Sequence, residues 1–380
     1  MRAYVLPDPR LVKLAGRFVW LDIDTEKPRN APFVEKFPID AWPTLLVVNP
    51  ANEQVLLRWL GTANAAQVEK LMLDGERAMK ATGSEADRAL AEADRLAGER
   101  DHFEAAKAYE HALAKSGKGW SGTDRATESL VQALGMGEEP ERCAEAARSG
   151  FERLTSPATR ARVAAQGLSC ALGVEDPARK QALVASLEPL ARKAAGAKGV
   201  LADDRSWLYS TLADARDDAG DGAGAKKLAA EWLAFLEGEA KRAPTALARS
   251  AFDGPMISAA KRLGDLGRIL PRLEASAREL PQEYVPPTNL AVAYLALARP
   301  ADALAASDRA LALASGPRRI RVYALKAESL ANLGREDEAR ATLEQAIVEA
   351  EAMPEATRPR GYLKRVKAML QGLGETASAP

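Results

Sequence analysis

A small residue that recurs at a fixed spacing is the feature that most constrains what this chain can fold into. Twelve positions separate the two alanines in each of four pairs: Ala93 and Ala105, Ala213 and Ala225, Ala291 and Ala303, and Ala327 and Ala339. Two antiparallel helices approach closely only where side chains are small, so paired alanines mark helix crossings. Larger residues four positions after the second alanine of a pair, such as Tyr109 and Leu343, fill the space beside a crossing. The spacing therefore predicts repeated helix pairs.

Turn residues and composition support the same interpretation. Gly220 and Gly334 lie five residues before the second alanine of their pairs, where one helix must stop and the next begin. Hydrophobic residues make up 47% of the chain but aromatic residues only 5%, and alanine and leucine, which favour helices, are abundant. From Ser84 onward, helical periodicity replaces any strand pattern.

The clearest repeat identifies a family resemblance. Tyr323 to Arg335, YALKAESLANLGR, followed by Asp337-Glu338-Ala339, resembles the tetratricopeptide repeat. The resemblance implies a mainly α fold, a right-handed α–α superhelix of about seven helix pairs. It covers residues 84–374, and a frayed tail follows at 375–380. The signature is matched strongly at 281–353 and well at 85–115 and 205–236. Residues 119–200 and 244–280 keep the helix-pair character without the signature, and 362–373 is expected to be a capping helix.

In tetratricopeptide arrays the first helix of each pair lines a concave groove that holds peptides. By that resemblance the late groove is lined by Val285, Thr288, Val292, Leu295, Arg321, Ala324, Glu328 and Asn332. These residues do not form the basic-and-asparagine clamp that some family members use for a terminal carboxylate. The partner is therefore a protein or peptide whose identity stays open.

The first 78 residues follow a different pattern, in which strand-like and helical segments alternate. Apolar runs predict strands at Phe18–Asp24, Thr44–Val48 and Gln54–Leu60, the last two joined by turn-forming residues. Helices are expected at Pro28–Phe37 and Asn64–Lys80.

This N-terminal pattern resembles the thioredoxin family. Phe37 to Thr44, FPIDAWPT, matches the family segment that leads through a proline into a strand. The resemblance implies a truncated thioredoxin-like α/β domain at 1–78 and a cis Trp42–Pro43 bond. It also implies that Trp42, Pro43 and Thr44 bind substrate by pairing with an extended peptide. The alternative is an ordinary trans proline at the start of a strand.

The chain departs from that family where the redox chemistry belongs. The family's first core strand and its CxxC motif are absent, so the chain as given has no catalytic residue and is redox-inactive. Two explanations stay open: a CxxC lies upstream of Met1, or the segment has degenerated. The missing strand would lie between Phe18–Asp24 and Thr44–Val48, leaving both with unpaired edges. We therefore predict that the N-terminal unit is the least protected from hydrogen exchange.

Other chemistry finds little support in the residues. Lys and Arg together number 53, as do Asp and Glu, so the chain has no net positive charge that would attract nucleic acid. His102 and His111 are nine apart and are expected on a helix surface, and Cys143 and Cys170 have no metal-ligand spacing and are expected to be buried, inert thiols. No metal site and no cofactor motif is predicted. No run of 18 apolar residues predicts a membrane span.

Two functions from different classes follow. The first is thiol–disulfide exchange on protein clients by a full-length product with an upstream CxxC. The alternative is a non-catalytic interaction scaffold with a vestigial thioredoxin-like module. The chain as given reads as soluble and cytoplasmic, and a periplasmic location follows if an N-terminal extension carries an export signal. Oligomeric state and redox direction are not predicted.

Overall fold

Helices dominate the computed structural model, which describes residues 5–6, 8–39, 42–80 and 83–376. Two strands, β1 (Thr44–Val48) and β2 (Val55–Leu60), form an antiparallel hairpin. The helices are α1 (Pro9–Val12), α2 (Ala31–Lys36), α3 (Ala65–Met79), α4 (Glu85–Gly98), α5 (His102–Lys115), α6 (Thr123–Met136), α7 (Pro140–Gly150), α8 (Pro157–Leu172), α9 (Pro177–Ala195), α10 (Ala202–Asp218), α11 (Gly222–Arg242), α12 (Ala246–Ser250), α13 (Asp253–Leu263), α14 (Leu270–Glu279), α15 (Val285–Ala296), α16 (Pro300–Leu313), α17 (Arg318–Asn332), α18 (Glu336–Glu351) and α19 (Arg360–Thr376).

The chain divides into two compact units. The first comprises Met1–Leu21 and Phe37–Trp232, and the second comprises Asp22–Lys36 and Leu233–Pro380. The boundary in sequence falls inside α11, and the first unit contains the hairpin together with α3 to α10. The division into domains at 1–78 and 84–374 remains a prediction from the sequence.

Consecutive helices pair within each unit, as the alanine spacing predicts. In the first unit α4 packs on α5, α7 on α8 and α8 on α9; in the second, α15 packs on α16 and α17 on α18, with α19 against α17 and α18. Every one of the eight paired alanines is at most 1% exposed. For α4–α5, α15–α16 and α17–α18 the helix crossings are therefore where the sequence predicted them, whereas the superhelical hand and the number of repeats stay predictions.

A single turn geometry recurs between helices. Six turns in the described part of the chain place one residue at positive φ, and the next residue donates its N–H to a carbonyl five positions back. Asp101 donates to Leu96 (3.1 Å) in this way, and Arg335 donates to Leu330 (3.0 Å). This is the 6→1 bond of a Schellman ending. Gly220 and Gly334 occupy the positive-φ position, as expected, with φ of 72° and 73°.

Three of these turns use a residue other than glycine at that position. Arg100, Glu138 and Ala298 have φ of 64°, 57° and 54°. A side chain in the left-handed region costs about 1–2 kcal/mol, so the surrounding helix packing must hold these residues there. The sequence gives no sign of them.

The N-terminal hairpin follows the prediction closely. Thr44 pairs with Leu60 and Val47 with Leu57, and the register shifts between Val47 and Val48. The next helix, α3, begins with a capping box in which the side chains of Asn64 and Gln67 each accept a bond from the other residue's backbone N–H. Two strands and a helix are less than a thioredoxin-like sheet, so that assignment stays a prediction.

The strand predicted at Phe18–Asp24 is wrong. These residues have no strand pairing, and the side chains of Val19, Trp20 and Leu21 are 88%, 46% and 73% exposed. A strand needs a hydrogen-bonded neighbour, and among the described residues the sheet contains β1 and β2 alone. The helix expected at Pro28–Phe37 is present as a short 3₁₀ turn followed by α2.

Candidate functional site

The first helices of the pairs in the first unit share one face, which we call the inner face, and the hairpin lies against it. Helices α4, α6, α8 and α10 supply this face, with α6 on α8 and α8 on α10. Strand β2 packs on α4. The contacts between hairpin and helices are built from buried charges, which is unusual for a protein interior.

One buried cluster centres on Asp94 of α4, whose side chain is 0% exposed. Arg125 of α6 forms an ion pair with this carboxylate, and Tyr109 donates its hydroxyl to Oδ1 at 2.7 Å. From the hairpin, the backbone N–H of Arg58 points to Oδ2 at 3.4 Å, and the Arg58 guanidinium donates to the Ala97 carbonyl. Burial raises the pKa of Asp94, while Arg125 and Tyr109 oppose that shift. The cluster ties β2 to two helix pairs.

A second buried cluster centres on Arg162 of α8. Its guanidinium bonds both oxygens of Glu128, at 2.6 and 3.0 Å, and reaches Asp204 of α10 at 3.1 Å. Thr62, just after β2, donates its hydroxyl to Asp204 at 3.2 Å. The Trp59 ring lies 5.0 Å from the Arg162 guanidinium carbon, a cation–π contact. Burial raises the pKa of Asp204 to about 6, and Arg162 opposes that shift.

The two clusters close this part of the inner face to other ligands. Arg58, Glu128, Arg162 and Asp204 are each between 3 and 4% exposed. A cavity of about 20 Å³ remains beside Arg58, His102, Tyr109, Ser129 and Gln132. That volume holds a single water molecule and no substrate. These charges therefore tie the hairpin to the helix pairs.

The predicted groove residues of the second unit are placed more openly. On α15, Val285 is 40% exposed, Val292 and Leu295 are half-buried, and Thr288 is buried, donating its hydroxyl to the Tyr284 carbonyl at 2.7 Å.

The α17 members of the predicted groove differ among themselves. Arg321 and Asn332 are exposed, Ala324 is buried, and Glu328 is half-buried and 3.6 Å from Arg365 of α19. Thr288 and Ala324 belong to the helix packing, and the exposed members stay candidates for partner contact.

A charged contact lies at the start of α17, in the second unit. Arg318 forms an ion pair with Glu26, and its guanidinium carbon is 5.1 Å from the ring of Tyr284. Burial raises the pKa of Glu26, with Arg318 opposing the shift. The sequence prediction missed this contact because nothing in a helical period relates residue 26 to residue 318.

The other predicted site residues lie in the first unit. The Trp42–Pro43 bond is cis, as the resemblance implied. Trp42 is 69% exposed, and Pro43 and Thr44 are half-buried. His111 lies on a helix surface as expected, while His102 lines the small cavity. The role of Trp42, Pro43 and Thr44 in peptide binding stays a prediction.

The two cysteines correct the prediction of inert thiols. Cys143 of α7 and Cys170 of α8 form a disulfide, with their Cα atoms 6.0 Å apart. Their exposures are 0% and 7%. The disulfide could not be predicted from the spacing of 27 residues, because the two positions meet only after α7 and α8 pack together.

Comparison with known proteins adds partial similarities to this geometry. No protein-family profile matches the chain, and no curated protein does. A tetratricopeptide repeat protein from Parabacteroides merdae is 11% identical, with a TM-score of 0.46 over 76% of this chain and 98% of that one. The TPR2AB domain of yeast Sti1 in complex with an HSP90 peptide is 14% identical, with a TM-score of 0.30 over 76% and 98%. The RpL4 assembly chaperone Acl4 is 14% identical, with a TM-score of 0.38 over 67% and 99%. The helix pairs described above, and not these superpositions, carry the assignment of a helical array.

Among the described helices, none combines the length and the apolar character that crossing a lipid bilayer demands.

Proposed function

We propose that this chain is a non-catalytic scaffold that binds a protein or peptide partner through the inner face of the second unit, by which we mean the exposed side chains of the first helices α15 and α17. The observation that carries the proposal is the contrast in exposure along the inner faces. In the first unit that face is covered by the hairpin and its buried ion pairs. On α15 and α17, Val285, Arg321 and Asn332 remain exposed.

Thiol–disulfide exchange has no specific observation in its favour. The sequence contains no CxxC, and its two cysteines are bonded to each other. An exchange-active sulfur must be reachable by an attacking thiolate, and these sulfurs belong to residues that are 0% and 7% exposed. We therefore favour the scaffold.

The disulfide supports a proposal about compartment. Structural disulfides persist in oxidising compartments and are rare in reducing ones. We propose that this chain works where thiols are oxidised, and mass spectrometry of alkylated protein from the native host checks it. Two alkylated cysteines in native protein would overturn this proposal.

Selection from a random peptide library tests the scaffold function. Full-length protein is immobilised, bound peptides are recovered, and each is measured against three proteins: the unchanged chain, Arg321→Glu, and the control Val348→Glu. Val348 is 68% exposed on α18, the second helix of its pair. We expect selected peptides to lose at least about tenfold in affinity with Arg321→Glu, the size of one charge-assisted hydrogen bond, and to keep it with Val348→Glu. Equal binding to all three proteins would contradict the proposal.

A further inference from the structure

We infer that the partner segment is an acidic peptide, and that it binds to a basic cluster formed by Tyr284, Arg318, Arg321 and Tyr362 in the second unit. This inference deepens the proposed function and rests on it. The chain's own acidic segment occupies part of the cluster and shows what kind of ligand the cluster accepts.

The two arginines form the cationic part of the cluster. Arg318 and Arg321 are three residues apart on α17, so they lie on the same side of the helix. Arg318 is paired with Glu26. Arg321 is exposed and has no ion-pair partner among the described residues. The cluster therefore holds one occupied and one open cation.

The tyrosines supply a surface on which an arginine and a peptide can lie. Arg318 stacks over Tyr284 at 5.1 Å, and Tyr362 is 40% exposed. Tyr284 interacts electrostatically with both arginines, with Glu26 and with Tyr362, which places all of them in one neighbourhood. A guanidinium held over an aromatic ring keeps its N–H donors in a fixed plane for a carboxylate.

The segment that fills the cluster is acidic and seated closely. Asp24 and Glu26 lie in a turn, in which the Lys27 N–H donates to the Asp24 carbonyl at 3.2 Å and the Glu26 N–H donates to Asp24 Oδ1 at 3.1 Å. The Glu26 carboxylate, presented by this turn, pairs with Arg318. The backbone of Glu26 packs on Gly316: a Cβ added to that glycine would lie 2.5 Å from the Glu26 carbonyl oxygen. The contact thus depends on backbone fit as well as on charge.

The chemistry of this seated segment identifies the occupant. A partner peptide with two neighbouring carboxylates can pair with Arg321 and displace Glu26 from Arg318. Because Glu26 belongs to the same chain, it competes at a high effective concentration and weakens binding of the partner. Removing the charge of Glu26 should therefore strengthen partner binding.

Fluorescence anisotropy of the full-length protein tests the inference. The probe is a fluorescein-labelled peptide with the sequence of residues 20–28, WLDIDTEKP, and the control peptide carries Asn and Gln in place of its acids. We expect Glu26→Gln to bind the acidic probe about five- to tenfold more tightly than the unchanged chain. Adding Arg321→Gln to it should reverse that gain, whereas adding Arg278→Gln, at an exposed arginine on α14, should not.

Substitutions at two glycines provide a second, independent test. Gly316→Ala should displace the built-in segment and tighten probe binding. Gly334→Ala carries a comparable positive φ, 73° against 58°, but has nothing within 4 Å of the added Cβ, so it should leave probe binding unchanged.

Three outcomes would overturn the inference: equal affinity for the acidic and neutral peptides, no gain with Glu26→Gln, or a dimer in light scattering that excludes the probe and so assigns the cluster to a second copy. The scaffold function has its own outcome. If the library selection yields basic or apolar peptides that still depend on Arg321, the scaffold stands and the acidic partner is wrong.

Discussion

The two compact units use the inner faces of their helix pairs in opposite ways. In the first, residues 58–67 of the hairpin region seal the face with charges that water does not reach. In the second, α15 and α17 leave apolar and cationic side chains exposed, with only a short acidic segment resting at one end. The comparison teaches that similar helix pairs can have their first helices covered by the chain itself, as in the first unit, or left exposed, as in the second.

The largest expected effect comes from removing a buried cation from the inner face of the first unit. Arg125→Ala leaves Asp94 fully buried without its cation, and an unpaired buried charge costs about 3–5 kcal/mol. The matched control, Arg321→Ala, removes an exposed arginine and should change the free energy of unfolding by less than about 0.5 kcal/mol. Urea denaturation followed by tryptophan fluorescence measures both. Similar losses would mean that the two faces do not differ.

The disulfide sharpens the comparison because it lies in the first unit alone. Closing a loop of 27 residues stabilises a fold by about 3–4 kcal/mol on the chain-entropy model. Reduction should therefore speed hydrogen exchange in α7 and α8, while α17 and α18 keep their rates. The control is the Cys143→Ala, Cys170→Ala double variant, which should not respond to reductant. A uniform response along the chain would argue against independent units.

The pH dependence of the sealed face gives a smaller effect. Asp204 has a pKa raised to about 6 in the folded chain, so the folded state binds a proton that the unfolded state has released. Its contribution to stability is present below the unfolded pKa and is lost as pH rises to about 6. The advantage of the unchanged protein over Asp204→Asn should shrink by about 2–3 kcal/mol between pH 4 and pH 7. Denaturation at both pH values measures it, and a constant difference would exclude a raised pKa.

The smallest effect tests what the two units share. Glu138→Gly in the first unit and Ala298→Gly in the second remove a side chain from the left-handed region. Each should stabilise by about 0.5–1 kcal/mol, because relief of backbone strain exceeds the added entropy of glycine. Thermal unfolding checks both variants. If only one is stabilised, the turns are not equivalent and the two arrays differ in construction as well as in covering.

The local parts of the fold could be predicted from the sequence. The alanine spacing located the helix crossings of three pairs, α4–α5, α15–α16 and α17–α18, and the residues of β1 coincide with the predicted strand. These features depend on periodicity and turn chemistry, which a short stretch of sequence contains.

Long-range partners could not be predicted in this way. The Arg58–Asp94 contact joins residues 36 apart, and the Thr62–Asp204 contact joins residues 142 apart. Charged residues ordinarily face solvent, so a pattern-based interpretation assigns Asp94 and Asp204 to helix surfaces. The strand predicted at Phe18–Asp24 failed for a related reason: its composition suits a strand, but pairing depends on a neighbour elsewhere in the chain.

The buried clusters have a consequence for anyone who shortens this protein. Residues 58–67 look like part of a dispensable leader to the helical array, yet they donate to Asp94 and Asp204 and cover Arg162. Removing them would expose the buried carboxylates of Asp94 and Asp204 and the buried guanidinium of Arg162 to solvent. Loss of a binding partner after such trimming would then report damage to the repeats themselves and not the removal of a docking module.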